Sequence, residues 1–554
     1  MRCLSCVALL LLVASVADAT DYFVKPDGDD GSPGTSDALA WKTIARVNTA
    51  RFTPGDTVFF HRGGTWREQL CVPSSGTAGR YLSFKAYGTG PRPKILGSIR
   101  TVNWTRVSGN IWTSPTPVAD PSAGVYHEQS EIWFELADGH VTRGHVKKKY
   151  LGNDDFSNLI AEYDWTWAGD RVYVYSTSNP DGRYAAIEVP QRLAAIELKD
   201  KEYLAFAGLE LRYARNRGVT ETSYPNRNLF GLTVEDCRVC YIGKIGINSS
   251  AHGISATHSN LRIRNNEIFE IGRRSISVYH YAPGFNIHDI VIEGNTMHDG
   301  YHTTGVDLAT KSTGGMDSVI IRNNYMSDPP TKNETGEVPE DYLSELIFIS
   351  EDGPGTIQRV RIYNNIFVNP SNTSIHIMSA TGPLEVYHNT FYGMNQVLHR
   401  NTMFVTCNYA PSKLNTNRNP ASSNVILKNN LFLSNANFDV NTTAICVYLS
   451  GVTPSSCLTA DYNLYYQVDP RLLVYQIGKT RYTMSQWSAL KEVFNGEGHS
   501  PSPQDPRLVS TADFHLRRGS PAIGAGVNLG LVTDYAGVQR ALTPAIGAFE
   551  YVPE

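Results

Sequence analysis

The sequence has little of what marks a membrane, nucleotide-binding or metalloprotease chain. Beyond residue 19, no stretch approaches the roughly 20 apolar residues that a membrane helix needs. There is also no glycine-rich phosphate loop, HExxH motif or nucleophile elbow. The net charge is −4, from 49 Lys and Arg against 53 Asp and Glu, so nothing indicates bulk attraction to nucleic acid. We therefore expect neither a membrane nor a nucleic acid as partner.

Cysteine is scarce as well, with 8 among 554 residues, and two of these fall in an N-terminal segment that resembles a signal peptide. Arg2 supplies the positive start, an apolar run covers residues 7–13, and Ala17-Asp18-Ala19 forms an A-x-A cleavage site. Residues 1–19 therefore predict a secreted or periplasmic protein.

Six cysteines follow that segment: Cys71, Cys237, Cys240, Cys407, Cys446 and Cys457. An even number in an exported chain permits disulfides. Cys446 and Cys457 bracket a short loop, which favours them as a pair. Cys237 and Cys240 lack both a βαβ context and a second Cys/His pair, so we interpret them as small buried residues rather than as a redox or zinc site.

The strongest feature that is present is a repeat. Six segments share the order apolar, polar, any residue, Asn, any residue, apolar: Ile263–Ile268, Ile292–Met297, Ile321–Met326, Ile362–Phe367, Val386–Phe391 and Leu427–Phe432. Their shared asparagines are Asn266, Asn295, Asn324, Asn365, Asn389 and Asn430. The first two gaps are equal, since 295 − 266 and 324 − 295 are both 29, and the later gaps vary. Such spacing is typical of a constant structural coil from which loops of different length emerge.

The repeat predicts an all-β fold, a right-handed single-stranded parallel β-helix. Alternating apolar residues form short strands with one face inward. One coil cannot bury that face alone, so coils stack into a continuous core. Asparagine at a fixed corner tolerates the left-handed backbone conformation, and stacked asparagines can hydrogen-bond to one another. A β-sandwich is the competing interpretation, but it would require six matches at one offset by chance.

The chain resembles the class of exported, bacterial-type right-handed β-helix proteins. Its start carries Tyr22–Gly28 and Trp41–Ile44, which resemble the entry segment of that class, and Gly63–Arg67 resembles its first coil. Gly519–Ile523 and Ile546–Glu550 resemble its exit segment. The resemblance covers nearly the whole mature chain and implies the fold. It does not choose a reaction, because the class includes lyases, hydrolases, epimerases and adhesins.

The domain organisation follows from where the coil pattern stops and resumes. Residues 20–100 are expected to form the entry coils, 191–470 the central coils and 471–554 the closing segment. Residues 101–190 depart from the pattern and predict a small inserted β domain, rich in tryptophan. Its aromatic residues predict either a sugar-binding surface, since pyranose faces stack on such rings, or a compact core of its own.

Aligning the coils on their asparagines predicts a cluster of polar side chains on one outer face. Lys244 falls level with Arg273 and Arg274, and Tyr301 and His302 come near the same level on the next coil. One strand later, Ser277, Tyr279 and Tyr281 are expected to point outward, with His280 at the strand end. Their predicted neighbours on the following coils are Asp307, Ala309, Lys311, Ser350, Glu351, Asp352 and His376.

This cluster suits β-elimination on an anionic, uronate-containing polysaccharide. Removing the proton next to a carboxylate requires that the carboxylate charge be neutralised. Lys244 with Arg273 or Arg274 is predicted to neutralise it, and Tyr279, His280 or His302 to act as base or acid. Tyr281, Tyr301, Glu351 and His376 are predicted to bind substrate.

A second placement rests on Lys311 and Ser312, which resemble the Lys-Ser pair of chondroitinase-B-like alginate lyases. That family has an arginine on the following coil, where this chain has Ser350-Glu351-Asp352, so the match is incomplete. The departure suggests calcium as a cofactor instead, held by oxygen atoms of Asp307, Glu351 and Asp352.

Two other classes of function stay open. A glycoside hydrolase needs two carboxylates flanking the bond, and Asp307 with Glu351 or Asp352 is the predicted pair. The other possible functions are that of a C5-epimerase and that of a polysaccharide-binding adhesin without catalytic activity. In each case we expect a monomer whose partner is a polysaccharide.

Overall fold

The computed structural model describes residues 18–121, 132–147, 156–221, 228–251, 257–280, 286–300, 303–310, 313–328, 345–351, 355–393, 402–408, 421–435, 444–494 and 496–553. Residues 1–17 of the predicted signal peptide lie outside these ranges. Among the helices in the described ranges, none has the length and apolar character needed to cross a bilayer. These helices are Ile44–Thr49, Pro180–Arg183, Pro454–Cys457 and Trp487–Phe494, with 3-10 turns at Asp37–Leu39 and Met484–Gln486.

Three long sheets, here called A, B and C, wind around one axis and confirm the right-handed parallel β-helix. Sheet A contains Asp21–Val24, Thr57–His61, Leu82–Tyr87, Leu204–Ala207, Leu229–Glu235, Thr257–Arg264, Asn286–Glu293, Gly315–Arg322, Ile357–Tyr363, Leu384–Tyr387, Val425–Lys428 and Leu458–Asp461. Sheet B contains Thr65–Trp66, Lys94–Leu96, Glu210–Arg212, Arg238–Ile242, Glu267–Ile271, Thr296–His298, Tyr325–Ser327, Ile366–Val368, Thr390–Gly393, Leu431–Ser434 and Leu464–Gln467. Sheet C contains Leu70–Cys71, Ala194–Glu197, Arg217–Thr220, Ile245–Ala251, Arg274–His280, Thr303–Thr310, Glu345–Glu351, Thr373–Met378, Thr402–Asn408, Ala444–Ser450, Leu473–Ile477 and Thr480–Thr483.

The core forms because inward positions on successive coils are apolar and lie over one another. In sheet A, Ile263 pairs in register with Ile292, and Ile292 with Ile321. All three side chains are at most 1% exposed. Because neighbouring parallel strands lie about 4.8 Å apart, such columns leave little room for water and bury a continuous apolar face.

The asparagine ladder forms as predicted at the corner between sheets A and B. The amide N–H of each ladder asparagine donates to the side-chain oxygen of the next, at 2.9–3.1 Å from Asn266 through to Asn463. The predicted left-handed conformation, however, belongs to the preceding residue, for example Asn265 (φ 55°) and Asn323 (φ 54°). The bend is therefore made one position earlier, and the ladder asparagines turn inward to satisfy the backbone there.

The insertion forms two small sheets. One contains Val141–Arg143, Trp133–Glu135, Ala186–Pro190 and Ser98–Thr101. The other contains His145–Val146, Asp164–Ala168, Arg171–Tyr175, Ile111–Thr113 and Thr105–Ser108. Trp104 and Trp165 are at most 4% exposed inside its own core, and Trp133 packs on Tyr213 of the β-helix. These tryptophans therefore serve as core, and the predicted sugar-binding surface does not form from them.

The predicted pairing of Cys446 with Cys457 is wrong. Both side chains are buried, but the Cys446 sulfur lies 3.3 Å from Nε2 of Gln467, while Cys457 faces Cys407 of sheet C. The short helix Pro454–Cys457 turns Cys457 away from the strand that carries Cys446. All six cysteines beyond the N-terminal segment are free thiols. Cys237 and Cys240 are buried in one coil, as predicted.

Candidate active site

The outward face of sheet C carries the predicted polar cluster. Ser277 pairs in register with Asp307, and Tyr279 with Ala309, as the coil alignment predicts. The same outward column continues as Phe348 and then His376. The alternation that points Ile276 and Val278 into the core sends Ser277 and Tyr279 outward.

A buried ion pair lies at the centre of this face. The Arg274 guanidinium contacts the Asp307 carboxylate on the next coil, with 9% and 0% of the two side chains exposed. Arg274 also lies over the Tyr279 ring, with its Cζ 5.0 Å from the ring centroid and its Nη2 3.5 Å from the phenol oxygen. The desolvated pair is costly to break from one side, since that leaves a buried charge uncompensated. The ion pair therefore holds the two neighbouring strands of sheet C in place on this face.

Cations gather beside this pair on three consecutive coils. Lys244 and Arg273 are adjacent across the strand pair, since the N–H of Arg274 donates to the Lys244 carbonyl. Burial lowers the pKa of Lys244 below its usual value, and the charges of Arg273, Arg217 and Arg274 lower it further. Lys244 and Arg273 are only half-buried, so an anion can reach them from solvent. The positive charges of these side chains repel one another at this density.

Glu221 is a functional candidate that the sequence analysis missed. It is 7% exposed, and its carboxylate accepts hydrogen bonds from the Ser250 amide and, at 3.3 Å, from Asn248 Nδ2. Burial raises the pKa of Glu221 to about 8, so the carboxyl keeps its proton near neutrality. Glu221 directly follows the strand Arg217–Thr220, which lies before the asparagine repeat begins. Val219 on that strand pairs in register with Ile247, 28 residues later, and this coil-length spacing was the signal available in the sequence.

Glu351 does not face Asp307, so the predicted carboxylate pair between these two residues is wrong. Phe348, not Glu351, pairs with Asp307, and Glu351 pairs with Thr310 at the strand end. Its carboxylate accepts hydrogen bonds from the Ile357 amide at 2.7 Å and from Thr381 at 3.2 Å. The Glu351 carboxylate is thus occupied by hydrogen bonds from the protein itself. This also argues against the substrate-binding role predicted for Glu351.

Calcium stays a prediction. Within the described ranges, no group of three or more His, Cys, Asp or Glu side chains converges to hold a metal. Asp307 is engaged by Arg274, and Asp352, the third predicted ligand, lies outside the described residues.

His376 occupies the place predicted for it on the outward column of sheet C. Its Nδ1 lies 3.2 Å from the Glu345 carboxylate, and its ring centroid lies 5.1 Å from that of Phe348. Phe348, which pairs with Asp307, was not among the predicted residues, whereas Ser350, which pairs with Ala309, was.

Several predicted site residues lie outside the described ranges. They are Tyr281, Tyr301, His302, Lys311, Ser312 and Asp352, and the side chain of His280 is not described either. The second lyase placement, at Lys311 and Ser312, therefore stays a prediction.

Comparisons with known proteins concern structures alone, since no family model and no curated protein matches this chain. The structure of XylC in complex with xylose is similar over 97% of this chain and 99% of its own, at 13% identity and a TM-score of 0.48. A pectate lyase is similar over 97% of this chain and 98% of its own, at 14% identity and a TM-score of 0.43. A lacto-N-biosidase from Eubacterium ramulus is similar over 78% of this chain and 68% of its own, at 13% identity and a TM-score of 0.41.

Proposed function

We propose that the protein is a polysaccharide lyase that cleaves a uronate-containing polymer by β-elimination on the outward face of sheet C. The supporting observation is the cation cluster: Lys244 lies among three guanidinium groups and is reachable from solvent. With the predicted signal peptide, we place this activity outside the cytoplasm.

The cluster supplies the two things that the reaction needs. Arg273 and Arg217 neutralise the substrate carboxylate, which acidifies the proton on the adjacent carbon. Lys244, with its lowered pKa, is the base that takes this proton. The electron pair then forms a carbon–carbon double bond as the glycosidic oxygen leaves. Tyr279, held against Arg274, is the described group suited to protonate that oxygen.

A glycoside hydrolase is the second candidate, and a specific observation favours it. Glu221 holds its proton, while Asp307 is paired with a cation, so the two carboxyl groups are set for opposite roles. Asn248, which donates to Glu221, lies two strands from Asp307 in the same column, since Asn248 pairs with Ser277 and Ser277 with Asp307. An inverting hydrolase likewise needs its two carboxyl groups on either side of the bond that it cleaves. Both carboxyl groups are deeply buried, as is Tyr279, but the proposed base Lys244 is half-buried and can be reached from solvent, and this accessibility of the base favours the lyase.

A panel of polymers read by two assays distinguishes the candidates. Alginate, polygalacturonate, a glycosaminoglycan and a neutral glucan are each assayed for ultraviolet absorbance of a conjugated product and for new reducing ends. A lyase gives both signals on an acidic polymer. A hydrolase gives reducing ends alone. Retention on the polymer with neither signal indicates a binding protein, and the proposal would then be abandoned.

A further inference from the structure

Sheet C changes character along its length. Its early strands and the turns leading into them carry Arg217, Lys244, Arg273 and Arg274. Its five parallel strands from Glu345 to Ile477 contain no Lys or Arg, and Arg471 lies in the turn before the last of them. These five strands are here called the cation-free half of sheet C, and their only charged residues are Glu345 and Glu351.

Aromatic side chains line the cation-free half. Phe348 follows Asp307 directly in the column, and His376 follows Phe348. Thr406 and then Tyr448 continue the same column on the next two strands. Phe348, His376 and Tyr448 are half-buried, so each keeps part of its ring accessible to a ligand.

His376 is held in one orientation, and its two ring nitrogens differ in their contacts. Glu345 binds its Nδ1 at 3.2 Å, which fixes the ring. Its Nε2 is buried and has no hydrogen-bond partner among the described residues. A buried polar atom of this kind is costly unless a ligand or water satisfies it. Because this nitrogen is closed to solvent, the part of His376 that a sugar can contact is the exposed part of its ring.

We infer that this half of sheet C binds an uncharged pyranose unit of the same polysaccharide whose acidic unit lies on the cation cluster. The inference rests on the proposed function and names its substrate class, a polymer of acidic and uncharged sugars. A uronate is disfavoured here because Glu345 is the only charged side chain that the strands Glu345–Glu351 and Thr373–Met378 direct outward, and its charge is negative. The apolar face of a pyranose packs on an aromatic ring, which Phe348 offers next to Asp307.

Two measurements test this inference on the full chain. The first is kcat/KM on polygalacturonate, which is wholly acidic, and on rhamnogalacturonan and hyaluronan, which alternate acidic and uncharged sugars. The second is calorimetric titration with xylohexaose, an uncharged oligosaccharide that β-elimination cannot cleave. Phe348→Ala and His376→Ala are compared with two controls elsewhere on the surface. Phe59→Ala removes a half-buried ring stacked on Phe23 in sheet A, and His499→Ala removes a histidine bound to Asp461 at 2.7 Å.

We expect Phe348→Ala to weaken xylohexaose binding about fivefold or more, the size of a lost aromatic contact. It should lower kcat/KM on the alternating polymers by a similar factor and leave polygalacturonate nearly unchanged. Wild-type titration without any binding of xylohexaose would overturn the inference, as would variants that match the controls. Cleavage of polygalacturonate in that case would leave the proposed function standing, whereas failure to cleave any acidic polymer would refute the proposed function itself.

Discussion

The corner between sheets A and B and the outward face of sheet C are built on the same coils but follow opposite rules. At the corner, every coil from Asn266 to Asn463 presents the same residue to its neighbours. On sheet C, one outward column passes through Asn248, Ser277, Asp307, Phe348 and His376 without repeating once. A repeated residue pairs with its own copy, so its role is to hold coils together. A position that changes on every coil is available to bind something other than the protein.

The largest expected effect is on catalysis at the variable face. Lys244→Ala should lower kcat on a uronate polymer by about 10²–10⁴, the range for loss of a positioned base. Lys244→Arg keeps the charge but does not release a proton at neutral pH, so it should not restore activity. Because Lys244 acts in its neutral form, wild-type kcat/KM should rise with pH as that group loses its proton. Steady-state kinetics across pH checks all three expectations.

Lys85→Ala is the control for this experiment. Lys85 is a half-buried lysine on sheet A, away from the site. An unchanged kcat in that variant, with wild-type stability in Lys244→Ala, attributes the loss to chemistry. If Lys244→Ala turns over uronate normally, the assignment of the base is refuted.

The repeated corner should respond in the opposite way. Asn324→Ala removes the acceptor for the Asn295 amide at 2.9 Å and side chain at 3.0 Å, and the donor to the Ile292 carbonyl. Leaving these buried groups unpaired should lower the free energy of unfolding by about 3 kcal/mol. Activity of the folded fraction should be retained. Asn528→Ala, at an exposed residue that accepts one hydrogen bond, should cost far less in the same denaturant titration.

A smaller effect is expected on the pH dependence of stability, through the ionisation of Glu221. Its folded-state pKa is raised to about 8 by burial, above the value of 4.5 for the unfolded chain. Between these values the unfolded chain has released the proton and the folded protein has not. Stability should therefore fall as pH rises through this window, with a limiting slope of about 1.4 kcal/mol per pH unit for one proton.

Glu221→Gln should flatten that decline, because the amide does not ionise. Glu293→Gln is the matched control, since its carboxylate pairs with Arg322 on sheet A at 2.7 Å and is not buried. Chemical unfolding at several pH values compares the three proteins. Equal slopes in wild type and Glu221→Gln would mean that Glu221 is ionised in the folded protein throughout this range.

The repeated features of the molecule could be predicted from the sequence. The features that change from coil to coil could be predicted only in part. The fold and the ladder follow from the repeated asparagine segment, and the pairing of Ser277 with Asp307 follows from neighbouring coils of nearly equal length. The next coil was predicted only in part: Ser350 pairs with Ala309, but Phe348 pairs with Asp307, because the spacing from Asp307 to its partner is 41 residues, against 30 from Ser277 to Asp307. The left-handed residue was placed one position too late because four of the six coils carry two adjacent asparagines at this corner. In the coil with Gly294 before Asn295, the glycine takes the positive φ, and it was the signal available in the sequence.

The burial of individual side chains, and the protonation state that depends on it, could not be predicted from the sequence. Glu221 precedes the asparagine repeat, and only the folded coil shows that it is buried beside Ser250. The direction of the Cys457 thiol is equally hard to predict, because a single helical turn decides whether it faces Cys407 or Cys446. In both cases a side-chain direction, not a residue type, decides the chemistry.

The most direct test of the central claim is the position of a bound uronate. A crystal structure of the Lys244→Ala protein with a galacturonate or alternating uronate oligosaccharide would locate its carboxylate. We predict that this carboxylate contacts Arg273 and Arg217 on the outward face of sheet C, with the chain continuing past Phe348. An oligosaccharide bound on sheet A, on sheet B or on the inserted β domain would contradict the account.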